Sequence, residues 1–356
     1  MVTFYSMTSV SRSLLLRVVC GALIGGALSG CREAPSAATP PGHTISGSTM
    51  GTYYRVSLPA LPEGMQKAAL QASLGSKLDR IDALMSTYRD DSEVSRFNQS
   101  RETAWFPVSI DTATVVTAAL DVFAESNGAF DITVAPLVNL WGFGPGDREE
   151  KIPDNRQIQD LLETIGSRHL EVRLEPPALR KHKEALQIDL SGIAKGFAVD
   201  ALATELENLG LRNYLVDIGG EMRAAGHKKN QTPWNIAIER PTANQHGIQT
   251  TLPLRDIAIA TSGDYRNCFD VDGQRYSHEI DPRNGHPIRH QLVSATVLDS
   301  SCMRADAWAT ALIVLGPDRG KALAERSGLP VFLIVNAEPD FEEIESSAFA
   351  VLPHSP

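Results

Sequence analysis

The chain is short of cysteine, short of positive charge, and lacks both common glycine patterns for binding phosphate. Only 4 of its 356 residues are Cys, too few for a disulfide framework. Thirty-three Lys and Arg stand against 43 Asp and Glu, a formal net charge of -10, and no long basic run follows the first residues. That balance excludes an ordinary nucleic-acid binder, which needs a basic surface. A polyanion would have to be held through a metal or a local cluster of donors. No G-x-G-x-x-G follows a predicted strand and no G-x-x-x-x-G-K-[ST] occurs, so a nucleotide would be bound by another device. There is no internal repeat. What remains is ordinary globular composition, 42% hydrophobic and 21% charged, enough for one large or two medium domains.

The N-terminus reads as a processing signal. Arg12 and Arg17 precede an apolar, small-residue stretch, Val18 to Leu28, too short to span a membrane as a mature helix. It ends in Leu28-Ser29-Gly30-Cys31. That run is similar to a bacterial lipobox and predicts cleavage before Cys31 and lipidation of its thiol. A plain secretory signal with an incidental Cys is the alternative. Residues 1–30 are thus read as signal and 31–46 as a flexible tether, rich in Pro, Ala and Ser. Residues 47–345 are read as the folded domain and 346–356 as a soft tail. Cys268 and Cys302 remain, without metal-ligand spacing, and free buried thiols are the simpler account.

The hydrophobic pattern predicts a strand at Thr52 to Leu58, then a helix within 64–89 on the stripe Leu70, Leu74, Leu78, Ile81 and Met85. Asp111 is positioned to cap a second helix ending at Gly128. Further helices are expected from Asp154 to Ile165, Ala194 to Gly210 and Met303 to Leu315. Strands are expected at 186–190, 214–218, 234–239, 256–260, 275–280, 292–298 and 331–335. Several strands in succession favour α+β with mixed or antiparallel sheets and packed helices over a doubly wound fold.

Five clusters carry possible chemistry. Asp189-Leu-Ser-Gly-Ile-Ala-Lys-Gly-Phe-Ala-Val-Asp200 runs from a strand into a helix. A helix start suits phosphate, and Lys195 adds a cation; a plain turn with Ser191 as N-cap would read the same way. Asp306 and Thr310 are four apart, so their oxygens share a helix face between alanines. Carboxylate, hydroxyl and phosphate oxygens suit Mg²⁺, although a salt bridge from Asp306 and back-bonding from Thr310 are equally compatible. His278, before the turn at Asp281-Pro282, is either a general base or a structural histidine. Residues 128–144 mix aromatics, glycines, Asp131 and Asn139, fit to line a flat ligand or to pack as a loop. Met50 and Tyr88 are placed to sandwich a ring or to fill a core.

Read in order, TMGTYYRV, MSTY with SEVSRFN, GAFDIT with PLVNLWGFG, DLSGIAKGFAVD, LVDIGGE, ATSGDYRN, RYSHEIDP and ADAWATAL resemble the ApbE family, the FAD:protein FMN transferases of bacterial cell envelopes. The resemblance runs from Thr49 to about Gly316 and implies a two-lobed α+β fold with FAD between the lobes. It implies Mg²⁺-dependent cleavage of FAD, transfer of the FMN phosphoryl group to a Thr or Ser hydroxyl of a target protein, and release of AMP. Asp306, Thr310 and the Ala194 carbonyl would ligate Mg²⁺. Met50, Tyr88, Ala129, Phe130, Asp131, Ser191, Lys195 and the stretch around Ile280 would hold FAD, and His278 would activate the acceptor hydroxyl. Glu279 and Cys268 stand where apolar and aromatic neighbours are expected. Implied partners are subunits of membrane redox complexes, met at the periplasmic side of the inner membrane through the lipid anchor. Two rival readings stay open: a Mg²⁺-dependent FAD pyrophosphatase, and an envelope lipoprotein that binds flavin without turnover.

Overall fold

The computed structural model describes residues 42–145, 152–242, 247–264, 267–271 and 273–353. Cys31 and the signal lie outside them, as do Tyr265 and Arg266. Residues 41–356 make one compact unit. Its spine is an eight-stranded antiparallel sheet. In chain order the strands are β1 (His43–Thr49), β2 (Thr52–Leu58), β3 (Tyr214–Ile218), β4 (Glu221–Ala225), β5 (Ile257–Gly263), β6 (Leu292–Asp299), β7 (Val331–Ala337) and β8 (Asp340–Glu345). They pair in that same spatial order, each antiparallel to the next.

Helices cover one face of this sheet. Helix α1 (Lys67–Met85) buries all five residues of its stripe, Leu70, Leu74, Leu78, Ile81 and Met85. Helix α2 is Ile110–Glu125, α3 is Ala194–Asn208, α4 is Cys302–Leu315 and α5 is Pro317–Ser327. Together they bury the main core, with Trp308 of α4 at 0% exposure. The opposite face of the sheet is covered by a hairpin, Trp234–Glu239 with Ile248–Leu254. Its Trp234, Ile236, Ile238, Leu252 and Leu254 pack on Ile259, Leu298, Phe332 and Ile334. A third cluster joins Leu137, Trp141, Phe143, Ile158 and Ile165 to Phe269, Tyr276 and Ile280.

Several expectations need correcting. The tether cannot extend to residue 46, because β1 begins at His43 and pairs residue for residue with β2. The tail is not soft from 346: Ser346 caps a short helix, Ser347–Ala350, that seats Phe349 at 0% exposure in the second cluster. The α2 cap is Ser109, whose hydroxyl accepts the Thr112 N–H at 3.1 Å, and not Asp111. The strand expected at 186–190 has no ladder partner among the described residues. Both backbone groups of Ile188 bond the side-chain amide of Asn98, each at 2.8 Å, so an asparagine substitutes for a neighbouring strand. The strand expected at 275–280 is broken: Gln274–Ser277 pairs with Cys268–Val271, Ile280–Asp281 pairs with His286–Pro287, and His278 and Glu279 form the break.

Candidate active site

Main core and third cluster meet across a cleft of about 460 Å³, within the usual range for small-molecule sites. Of the residues expected to act, Tyr88, Ala129, Phe130, Asp131, Ser191, Lys195, His278, Ile280, Asp306 and Thr310 all line it. Met50 and Ala194 are not in its wall. Met50 sits at the β1–β2 turn with φ 47°, followed by Gly51 at φ 72°. Two consecutive left-handed residues are what a tight two-residue hairpin requires, and the Met50 side chain leans on the main core. Ala194 is buried at the first position of α3.

The floor of the cleft is the crossing of α3 and α4. Ala305, Ala307, Ala309 and Ala311 are wholly buried, which lets the two helices come together. Gly196 is obligatory there: a Cβ on it would lie 2.3 Å from the Cys302 carbonyl oxygen and 2.8 Å from Asp306 Cβ. The close approach brings Asp306 Oδ2 to the Gly196 N–H, which donates to it at 2.9 Å. A carboxylate thus caps the first turn of α3, where the helix dipole favours it. Ser191 does not fill that role; it is exposed, and its N–H bonds Asp189 Oδ1 at 2.8 Å. One turn along α4, Thr310 Oγ1 lies 3.2 Å from Ser262 Oγ of β5.

Lys195 extends from the same turn of α3 and forms an ion pair with Glu221. Glu221 begins β4 after Gly219 and Gly220, both with positive φ. It is 3% exposed, and its Oε2 has no hydrogen-bond partner among the described residues. Burial pushes its carboxyl up to about 7, against the pull of Lys195. Burial likewise raises Asp306, with Lys195 and the Gly196 N–H opposing. Burial works against the charge of Lys195, but Glu221 and Asp306 overcome it and hold the ammonium charged. Two buried carboxylates therefore share one ammonium, and one carboxylate oxygen is unsatisfied. A divalent cation would complete the charge, and the donors at hand are the hard oxygens that Mg²⁺ prefers.

The rest of the wall is less charged. Asp131 is tied into the protein mainly through Oδ1, which accepts from Thr133 N and Oγ1 and from Ser167 Oγ at 2.7–2.9 Å, while among the described residues Oδ2 accepts only from Ser167 N at 3.2 Å. It shapes the loop that carries Phe130. Tyr88, 71% exposed, stands at the cleft. On the far side Phe143 leans on Phe269, which stacks on Tyr276, which stacks on Trp141. His278 is fixed from behind. Its Nδ1 and its backbone N–H both lie 3.0 Å from the Asn267 carbonyl oxygen. Since a carbonyl only accepts, Nδ1 carries the hydrogen and Nε2 is the basic nitrogen.

Glu221, Thr261, Ser262, Asn267 and Glu279 also line the cleft; all five lie in motifs of the resemblance, but none was given a role from sequence. The signal for Glu221 was available: Gly-Gly between two strand-like runs marks a hairpin, and its first residue emerges at the sheet's helix-covered end. Asp200, grouped with the phosphate cluster by its motif, is structural. It accepts from Ser301 Oγ, Met303 N–H and Arg223, tying α3 to α4. Cys268 and Cys302 are free thiols.

With this geometry the comparisons agree. A family model described as the ApbE family matches residues 50–333. The FAD:protein FMN transferase of Vibrio cholerae is 46% identical over 305 residues, 86% of this chain and 91% of the relative. The solved flavin transferase ApbE of Vibrio cholerae superposes with a TM-score of 0.81 at 43% identity, over 87% of this chain and 99% of that one. The apo flavinyl transferase ApbE of Pseudomonas stutzeri gives 0.80 at 40% identity, over 87% and 96%. Fold, cleft and relatives lead to one statement: this chain belongs to the ApbE family.

Proposed function

We propose that the chain is a Mg²⁺-dependent FAD:protein FMN transferase that moves the FMN phosphoryl group from FAD to a Thr or Ser hydroxyl and releases AMP. The observation that supports the metal requirement is the pair of buried carboxyls, Asp306 and Glu221, beside Lys195, with one Glu221 oxygen lacking a hydrogen-bond partner among the described residues. Mg²⁺ held by Asp306 and Thr310 would supply Lewis-acid polarisation of the FAD pyrophosphate. The protein's own residues position and neutralise, which is most of what phosphoryl transfer asks of an enzyme. Lys195, charged at the start of α3, meets the pyrophosphate oxygens. Tyr88 and Phe130 offer ring faces to the flat parts of FAD. His278 Nε2 takes the proton of the acceptor hydroxyl as that oxygen attacks phosphorus.

Relatives bearing the transferase name support a protein as acceptor. We further propose that the acceptors are subunits of membrane redox complexes, reached from the periplasmic side of the inner membrane through lipid on Cys31.

The decisive assay combines the mature protein with FAD, Mg²⁺ and an acceptor domain, then reads flavin fluorescence on the denatured acceptor. Label on the acceptor is the expected result. Free FMN and AMP without label would mean hydrolysis, and intact FAD would mean binding alone. Asp306→Ala is expected to abolish metal-dependent turnover; retained activity removes Asp306 from the metal shell.

A further inference from the structure

His278 and Glu279 are neighbours in sequence, and neighbours in an unbroken strand point to opposite faces. Here they do not. The break between Gln274–Ser277 and Ile280–Asp281 falls on these two residues, and both line the cleft. The Glu279 backbone is held on both sides of the break: its N–H donates to Ser277 Oγ at 3.2 Å, and its carbonyl accepts from the Ile288 N–H at 2.9 Å. The side chain is then confined, 12% exposed, with Oε1 3.5 Å from His278 Nε2. A carboxylate thus stands 3.5 Å from that nitrogen, while the Nδ1 side is fixed by the Asn267 carbonyl.

We propose that Glu279 assists the transfer reaction through His278: with the ring oriented by Asn267, its carboxylate stabilises the imidazolium formed when Nε2 takes the proton of the acceptor hydroxyl. The inference rests on the proposed role of His278 as base. In the step itself the acceptor O–H bond breaks and its proton goes to Nε2. The freed oxygen pair forms the new O–P bond to the FMN phosphorus, and the P–O bond to the AMP phosphate breaks, its electron pair leaving with AMP. Positive charge appears on the imidazole 3.5 Å from the Glu279 carboxylate, which is itself only 12% exposed, and a carboxylate fixed beside a developing charge needs no reorganisation at the moment of reaction.

The groups facing Glu279 set how that charge is balanced. They are His278, Asp264 at the end of β5, Lys195 of α3 and Asp306 of α4. Burial raises the Glu279 carboxyl, with His278 and Lys195 pulling it down and Asp264 and Asp306 adding to the rise. Asp264 is itself pushed up by burial, with Arg275 and His278 opposing.

The test measures FMN transfer against pH for wild type, Glu279→Gln and Glu279→Asp, using an acceptor domain that the Vibrio cholerae relative labels in a parallel reaction. Glu279→Gln keeps shape and removes charge. It is expected to lower kcat about tenfold, a part of the 10²–10⁴ that a general base contributes, with KM for FAD unchanged. The acid limb of its pH–rate profile should move to lower pH, since Nε2 has lost a negative neighbour. Glu279→Asp should fall between the two. Wild-type kcat with an unmoved acid limb in Glu279→Gln overturns the proposal, as does a change confined to KM. Failure of the wild type to label an acceptor that the relative labels would instead overturn the transferase reading. Unimpaired transfer by His278→Ala would remove the base, and Glu279's role with it.

Discussion

Lys181 has no exposed surface, yet it carries an ammonium. Its Nζ donates to the carbonyls of Phe97 at 3.1 Å and Leu186 at 3.0 Å and lies 4.9 Å from the centre of the Phe97 ring. Burial, with Arg101 adding to it, pushes its pKa down to about 8. The unfolded chain then holds this proton more tightly than the folded one between pH 8 and 10.5. Below that window the fold carries the whole penalty of burying charge, about 3 kcal/mol at 1.36 kcal/mol per pH unit. Above it neither state is charged, so this residue makes stability rise with pH across the window. Tyrosines titrate nearby, so the measurement is a difference. Urea midpoints at pH 7.5 and 10 should rise more in wild type than in Lys181→Met, and equal changes would show that Lys181 is not the cause. Nothing in the sequence marks this lysine, since its burial depends on a strand, a helix end and a loop meeting around it. Asp306 and Thr310 were legible because spacing on a helix is a local property. Glu221 becomes a site residue only through a hairpin and a partner 26 residues away.

Elements were legible where one period ran undisturbed. The α1 stripe, and the strands at 52–58, 214–218 and 234–239, match the expected pattern. Local periodicity failed where side chains did the work of backbone, as at Ile188 beside Asn98, and where a strand is interrupted for the site, as at His278 and Glu279. The α3–α4 crossing was half legible. Its alanines announced a close approach, but which glycine received it is a tertiary fact. Gly196→Ala tests that contact, because its added Cβ would meet backbone and not a movable side-chain end. Overpacking of this kind costs about 1–3 kcal/mol. The variant should melt several degrees lower and need more Mg²⁺ for half-maximal transfer, since Asp306 is displaced with α4. A lowered melting temperature with an unchanged Mg²⁺ requirement would separate the packing from the site.

For the whole molecule, the α+β reading and the antiparallel sheet follow from strands arriving in succession, and the sheet keeps chain order across all eight strands. Their pairing beyond each hairpin was not legible, because β4 meets β5 only after the chain has made the separate hairpin on the opposite face. Attachment to a membrane is also a property of the whole chain, and no described helix is long and apolar enough to cross one. The proposed lipid on Cys31 is therefore tested by fractionation. The full chain should sediment with membranes and Cys31→Ala should move to the soluble fraction; equal sedimentation would remove lipid as the anchor. The outermost strand, β8, would matter more if that attachment holds. Held on a surface, copies of the enzyme meet far more often than in free solution, and an open sheet edge invites them to join strand to strand. Beside the apolar Val331–Val335 run, β8 presents Asp340, Glu342, Glu343 and Glu345. Asp340 is answered by Arg240 and Glu343 by Gln249, yet the strand still carries four carboxylates, and charge on an edge strand discourages a second copy from pairing with it.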